Sequence, residues 1–201
     1  MRSVLVIVSF VLVLLAAAAF FLRTKQTPDP TPALAQMVPV DMSQNEVSPS
    51  NETAAPLRGP VAPDISSDVW LNSAPLKPAD LHGKVVLVDF WTFDCINCRN
   101  TIPQLRNWYQ KYRDQGFVIV GVHSPEFSYE HDVENVKQAI QELKIPYPVA
   151  LDNDFKTWNS YRVYAWPTWF IVDKRGAVRF SHVGEGAYDE SEQAIMALLK
   201  E

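Results

Sequence analysis

Apolar and polar positions fall into three regimes along the chain. From Val4 to Leu22 the residues run without a single charge, and a helix of that length, at about 1.5 Å per residue, spans roughly 28 Å of hydrocarbon. Residues 1–22 are therefore expected to be a transmembrane anchor, because Phe20-Phe21-Leu22 carry the run past the alanines. The alternative is a cleaved signal peptide, with Val4–Leu15 as its apolar core and Ala16–Ala19 as small-residue cleavage positions. Arg2 on one flank and Arg23 and Lys25 on the other leave the orientation open. Residues 23–60 hold seven of the 15 prolines and no aromatic side chain. They cannot bury enough apolar area to offset chain entropy, so a disordered, extended tether is expected.

From residue 61 the aromatics return and periodic patterns begin. Lys84–Trp91 is apolar almost throughout apart from Asp89, the pattern of a strand covered on both faces. Ile102, Leu105, Tyr109 and Tyr112 recur at helical spacing, and Gly116 stops that helix. Phe117–Val122 predicts a second buried strand. Val133, Val136, Ile140 and Leu143 predict an amphipathic helix, Tyr147–Leu151 a short strand, and Asp154–Tyr161 a short helix capped by Asp152 or Asp154. Trp169–Val172 and Val178–His182 flank Lys174-Arg175-Gly176 as a hairpin, and Glu190–Lys200 closes the chain as a helix. This order predicts one α/β domain over 61–201, a mixed β-sheet with helices on both faces.

Charge narrows the function. Four basic and four acidic side chains cancel within residues 1–60, so the formal charge of −5 belongs to the domain. An acidic domain repels phosphate, and no nucleic-acid partner is expected. Cys95 and Cys98 are the two cysteines, too few for a disulfide-rich scaffold or a four-cysteine metal site. The four histidines (His82, His123, His131, His182) show no ligand spacing, so neither metal nor cofactor is expected. Asp152-Asn153-Asp154 lacks the glycine and distal glutamate of a calcium loop and reads as helix capping.

A Cys-x-x-Cys that follows a buried strand and opens a helix carries chemistry. The helix N-terminus offers free N–H groups and the positive end of the dipole to a thiolate on Cys95, the attacking nucleophile. Cys98, one turn further in, is shielded and placed to resolve a mixed disulfide. Asp89, buried by its strand, is the candidate proton acceptor for Cys98. Asp94 is expected to disfavour the Cys95 thiolate, with Arg99 opposing it. His123 and Glu126 follow a strand end and are candidates for the rim of the site, with a solvated loop as the plainer account.

The residues around the dithiol resemble the thioredoxin superfamily over roughly residues 60–200. Asp89 stands six positions before Cys95 as the buried acid of that superfamily does, Trp91 matches its active-site tryptophan, and Pro103 its kink proline. Trp166-Pro167-Thr168 resembles the cis-proline segment, and Gly184 the glycine near the dithiol. The stretch from Cys98 to Pro167 is longer than in a minimal thioredoxin, as in the membrane-tethered TlpA-like branch. The thioredoxin-like domain of DipZ-type proteins is similar in Phe90 to Cys98, in Gly121 to Phe127, in Ala150 to Asn153 and in Gly184 to Tyr188. The resemblance implies a catalytic set of Cys95, Cys98, Asp89 and Pro167, and a substrate groove of Trp91, Asp94, Trp166, Thr168 and Gly184.

It further implies a thiol–disulfide oxidoreductase without cofactor, acting on disulfide-containing or dithiol proteins. A tethered redoxin takes electrons from a membrane donor, which with a single span is expected to be a separate protein. The redox domain is thus expected on the extracytoplasmic side of the cytoplasmic membrane, held by residues 4–22. Two alternatives stay open. Thr92-x-x-Cys95 is similar to the threonine–cysteine spacing of peroxiredoxins and would suit a thiol peroxidase, and a cysteine pair can hold copper(I) in a chaperone.

Overall fold

The computed structural model describes residues 59–201. The anchor or signal peptide expected over residues 1–22 and nearly all of the expected tether lie outside the described residues. No helix among the described residues is long and apolar enough to cross a membrane.

The chain enters the domain by pairing Val61 with Ala177 and continues through β1 (Trp70–Leu71), α1 (Pro78–Leu81), β2 (Val85–Trp91), α2 (Ile96–Tyr112) and β3 (Phe117–His123). There follow α3 (Val133–Glu142), β4 (Val149–Leu151), α4 (Lys156–Ser160), β5 (Thr168–Val172), β6 (Val178–Val183) and α5 (Tyr188–Lys200). Six strands make one sheet in the order β1-β4-β3-β2-β5-β6. At its centre β2 runs parallel to β3 and antiparallel to β5. The mixed sheet read from the sequence is the one observed.

All seven residues of β2 are buried, and alternation sends them to two different cores. Val85, Leu87 and Trp91 join Ile102 and Leu105 of α2, Val136 and Ile140 of α3, and Ile195 and Leu198 of α5. Val86, Val88 and Phe90 meet Trp158 of α4, Tyr161 and Val163, with Ala62, Ile65 and Leu81 from the lead-in segment packed outside them. A strand with two buried faces needs an unbroken apolar run, hence the pattern at Lys84–Trp91.

Helix α2 passes through a 3₁₀ turn at Arg113–Gln115 and stops at Gly116, whose φ of +88° lies where a side chain would strain the backbone. Asp152 caps α4: its carboxylate accepts the N–H groups of Thr157 (3.0 Å) and Trp158 (2.8 Å). β1, α1 and the 3₁₀ turn at Ser128–His131 have no counterpart in the sequence reading, since two to four residues are too few for a period to register.

Candidate active site

Cys95 is the N-cap of α2, with extended φ and ψ of −71° and 116°, and the Cys98 N–H donates to its Sγ at 3.3 Å. Hydrogen bonds from the Cys98 thiol and from the N–H groups of Cys98 and Asn97 bring the Cys95 thiol down to about 7, against partial burial and the Glu126 charge. Cys98 has no exposed surface. Burial and then the neighbouring Cys95 sulfur push its thiol far up. Both are free thiols, and the asymmetry divides labour: one half-exposed, easily ionised sulfur, and one buried sulfur that keeps its proton until needed.

The acid opposing the Cys95 thiolate is Glu126. Asp94, expected to play that part, has its exposed carboxylate engaged by the Tyr129 hydroxyl. Arg99 donates to the Phe93 carbonyl at 3.1 Å and so braces the loop that delivers Cys95.

Asp89 is 1% exposed, and neither carboxylate oxygen has a hydrogen-bond partner among the described residues. Burial, then the Cys95 charge, pushes it up to about 8, so it is a carboxylic acid at neutral pH. Opposite it on β3 stands Gly121, where a Cβ would lie 2.9 Å from Trp91 Nε1 and 3.4 Å from the Tyr147 ring. The missing side chain makes room for both rings. Trp91 Nε1 and Tyr147 Oη likewise lack partners among the described residues, so the acid sits in a pocket of buried polar atoms.

Trp91 therefore departs from its expected place in a substrate groove. It is 1% exposed, because a residue two positions on from Asp89 shares its inward face, and its ring packs edge-on to His123 at 5.1 Å. Thr168 departs likewise: it is buried and its hydroxyl donates to the Ala165 carbonyl at 2.7 Å.

Thr168 pairs with Phe90 on β2, so Pro167 and Trp166 lie at the end of β2 from which the dithiol loop departs. The Trp166–Pro167 bond is cis, and the Pro167 carbonyl accepts the Gly184 N–H at 2.7 Å. Trp166 leans on Trp158 at 4.4 Å between ring centres, and its Nε1–H donates to the Ser124 carbonyl at 3.0 Å. Asn100 of α2 donates to Glu185 at 3.0 Å, tying the dithiol helix to the loop after Gly184.

Beside the dithiol lies a polar cluster of which the sequence pointed to His123, as a rim residue, and to Thr92, through its spacing from Cys95, but not to Glu130. His123 is wholly buried rather than part of a solvated loop; burial drives its imidazole down to about 4, and the Phe93 ring stacks on it at 5.6 Å. Its Nε2 lies 3.3 Å from the Thr92 hydroxyl, which in turn donates to the buried Glu130. A lone acid in a four-residue turn shows no periodicity, and a histidine at a strand end reads as exposed.

Residues 59–181 match the AhpC/TSA family. Over its whole length the chain is 36% identical to Protein DipZ of Mycobacterium bovis and covers 32% of that protein, so it spans about a third of the curated relatives it first matches. It is 26% identical to Thiol-disulfide oxidoreductase YkuV of Bacillus subtilis, over 72% of this chain and 97% of that one. Among solved structures, a thiol-disulfide isomerase from Corynebacterium glutamicum superposes with a TM-score of 0.64 at 26% identity, covering 70% of this chain and 97% of that one.

Proposed function

The chain belongs to the AhpC/TSA family, and from that premise we propose that it is a thiol–disulfide oxidoreductase that reduces disulfides in partner proteins through Cys95 and Cys98. The observation that carries this reading is the asymmetry of the two sulfurs: Cys95 caps a helix and ionises near neutrality, while Cys98 is buried and protonated beneath it.

The Cys95 thiolate attacks one sulfur of a partner disulfide. That S–S bond breaks, a mixed disulfide forms, and the partner's other sulfur leaves as a thiolate and takes a proton. Cys98 then gives up its proton, with Asp89 the buried group able to accept it once ionised, and attacks the Cys95 sulfur. The partner departs as a dithiol carrying two electrons from this chain, which is left with a Cys95–Cys98 disulfide until a membrane donor replaces them. The anchoring of residues 4–22, the extracytoplasmic position and the membrane donor rest on the sequence pattern of residues 1–60 and on the tethered-redoxin resemblance. Support for a peroxidase weakens at Thr92, whose hydroxyl is committed to Glu130.

In cells, Cys98→Ser is expected to trap partner proteins as mixed disulfides on Cys95, released by dithiothreitol, whereas Cys95→Ser traps none. The reverse pattern overturns the assignment. Peroxide-driven turnover would favour the peroxidase instead, and stoichiometric copper after anaerobic purification the chaperone.

A further inference from the structure

Glu130 is wholly buried, yet the chemistry above makes no use of it. Its Oε1 accepts the Thr92 hydroxyl and the Asp94 N–H, the latter at 3.1 Å. Its Oε2 accepts the N–H groups of Glu126 at 2.6 Å and Phe127 at 2.8 Å. A carboxylate taken out of water costs several kcal/mol unless its lone pairs are met, and here four donors meet them from two separate segments. Thr92 and Asp94 belong to the loop that delivers the dithiol from β2 to α2. Glu126 and Phe127 belong to the loop after β3. One side chain thus joins the two loops beneath the site.

The bond to Thr92 reaches further. Burial raises the Cys98 thiol and the Thr92 main chain opposes that rise, so a residue anchored by its hydroxyl on Glu130 also bears on the resolving thiol. Asp94, held by its own N–H, is the residue immediately before Cys95. The hydrogen bonds of Glu130 go to neither sulfur, so any influence on them passes through these two residues.

We propose that Glu130 is a positioning residue for the dithiol, holding Thr92 and Asp94 so that Cys95 stays at the mouth of α2 with Cys98 one turn behind it. The proposal rests on the reading of Cys95 and Cys98 as a redox pair. Glu126, whose charge opposes the Cys95 thiolate, and Asp89, which the Cys95 charge helps to raise, both remain in the variants that test the idea.

The test is ultraviolet titration of the thiolate and the reduction potential in glutathione buffers, on full-length wild type, Glu130→Ala, Glu130→Gln and Thr92→Val. With the clamp gone, the donors on Cys95 lose their alignment and its midpoint is expected to rise. A rise of about one pH unit from about 7 lowers the thiolate fraction at pH 7 roughly fivefold. Glu130→Gln, which keeps one acceptor oxygen, should fall between Glu130→Ala and wild type, and Thr92→Val should move the same way as Glu130→Ala by less. Should Glu130→Ala fail to fold, Glu130→Gln and Thr92→Val decide by the same readouts. Wild-type midpoints and potentials in the folded variants overturn the proposal. So does a midpoint that falls, since Glu130 would then act by its charge. Insulin reduction by wild type tests the oxidoreductase reading separately: an inactive wild type whose titration still moves on removing Glu130 would sink that reading and spare the positioning role.

Discussion

Replacing Asp89 by asparagine should make the domain more stable, and the gain should depend on pH. In the folded protein burial and the Cys95 charge hold the acid up to about 8, against an ordinary value of 3.8. Below about pH 4 both folded and unfolded states carry the proton, and Asp89 costs nothing electrostatically. Between about pH 4 and 8 the unfolded chain has released the proton and the folded domain keeps it, so stability falls by about 1.4 kcal/mol per pH unit. At pH 7 the accumulated loss is about 4 kcal/mol, an upper figure because relaxation and water entry soften real burial. Above about pH 8 both states are ionised and the loss levels off.

The asparagine side chain has the same shape and no charge to desolvate, so urea unfolding of Asp89→Asn and wild type should coincide near pH 4 and diverge by about 2–4 kcal/mol by pH 7 to 8. Because the Cys95 charge contributes to the shift, the divergence should shrink once the two cysteines are oxidised. The same variant should accumulate mixed disulfides, since Cys98 loses its proton acceptor. Parallel stability curves from pH 4 to 8, or a wild type that gains stability across that window, would refute the reasoning.

Further outcomes are open to measurement. Gly121→Ala places a methyl 2.9 Å from Trp91 Nε1 in a pocket with no exposed surface to yield, and should destabilise by about 1–3 kcal/mol in urea melts. The Cys95–Cys98 reduction potential should lie nearer thioredoxin's roughly −270 mV than the roughly −120 mV of a DsbA-like oxidant, because a nucleophile at about 7 resembles thioredoxin's rather than DsbA's far more acidic one. A value above about −180 mV together with an oxidised steady state in cells would mark an oxidase. Full-length protein should sediment with membranes and resist alkaline carbonate, whereas residues 61–201 alone should be soluble and redox-active; a mature N-terminus near Ala18 or Ala19 would instead identify a cleaved signal.

Patterns with a long period or a tight local spacing were legible in the chain itself. The buried central strand, the helix that follows the cysteines, the hairpin and the last helix all declare themselves through runs of many residues in which each position repeats the same demand for burial. Cys95 and Cys98 are legible for a different reason: three residues of spacing and a helix start place both sulfurs locally, without help from the rest of the fold. Asp89 was readable as buried because its neighbours on β2 are apolar on both faces.

Tertiary structure alone decided which side chains meet across elements. Trp91 has the composition of a groove residue, but the strand's alternation and the space left by Gly121 on the next strand turn it into the core. Asp94 stands next to Cys95 in sequence, yet Tyr129 takes its carboxylate and Glu126, thirty-one positions from Cys95, supplies the opposing charge. The burial of Glu130 and His123 carried no local signal, since a lone polar residue reads as solvated until a distant loop closes over it. For Glu130 it follows from partners at Thr92, Asp94, Glu126 and Phe127, and for His123 from the parallel pairing that sets it opposite Trp91, a long-range register that hydrophobic spacing within either strand does not encode.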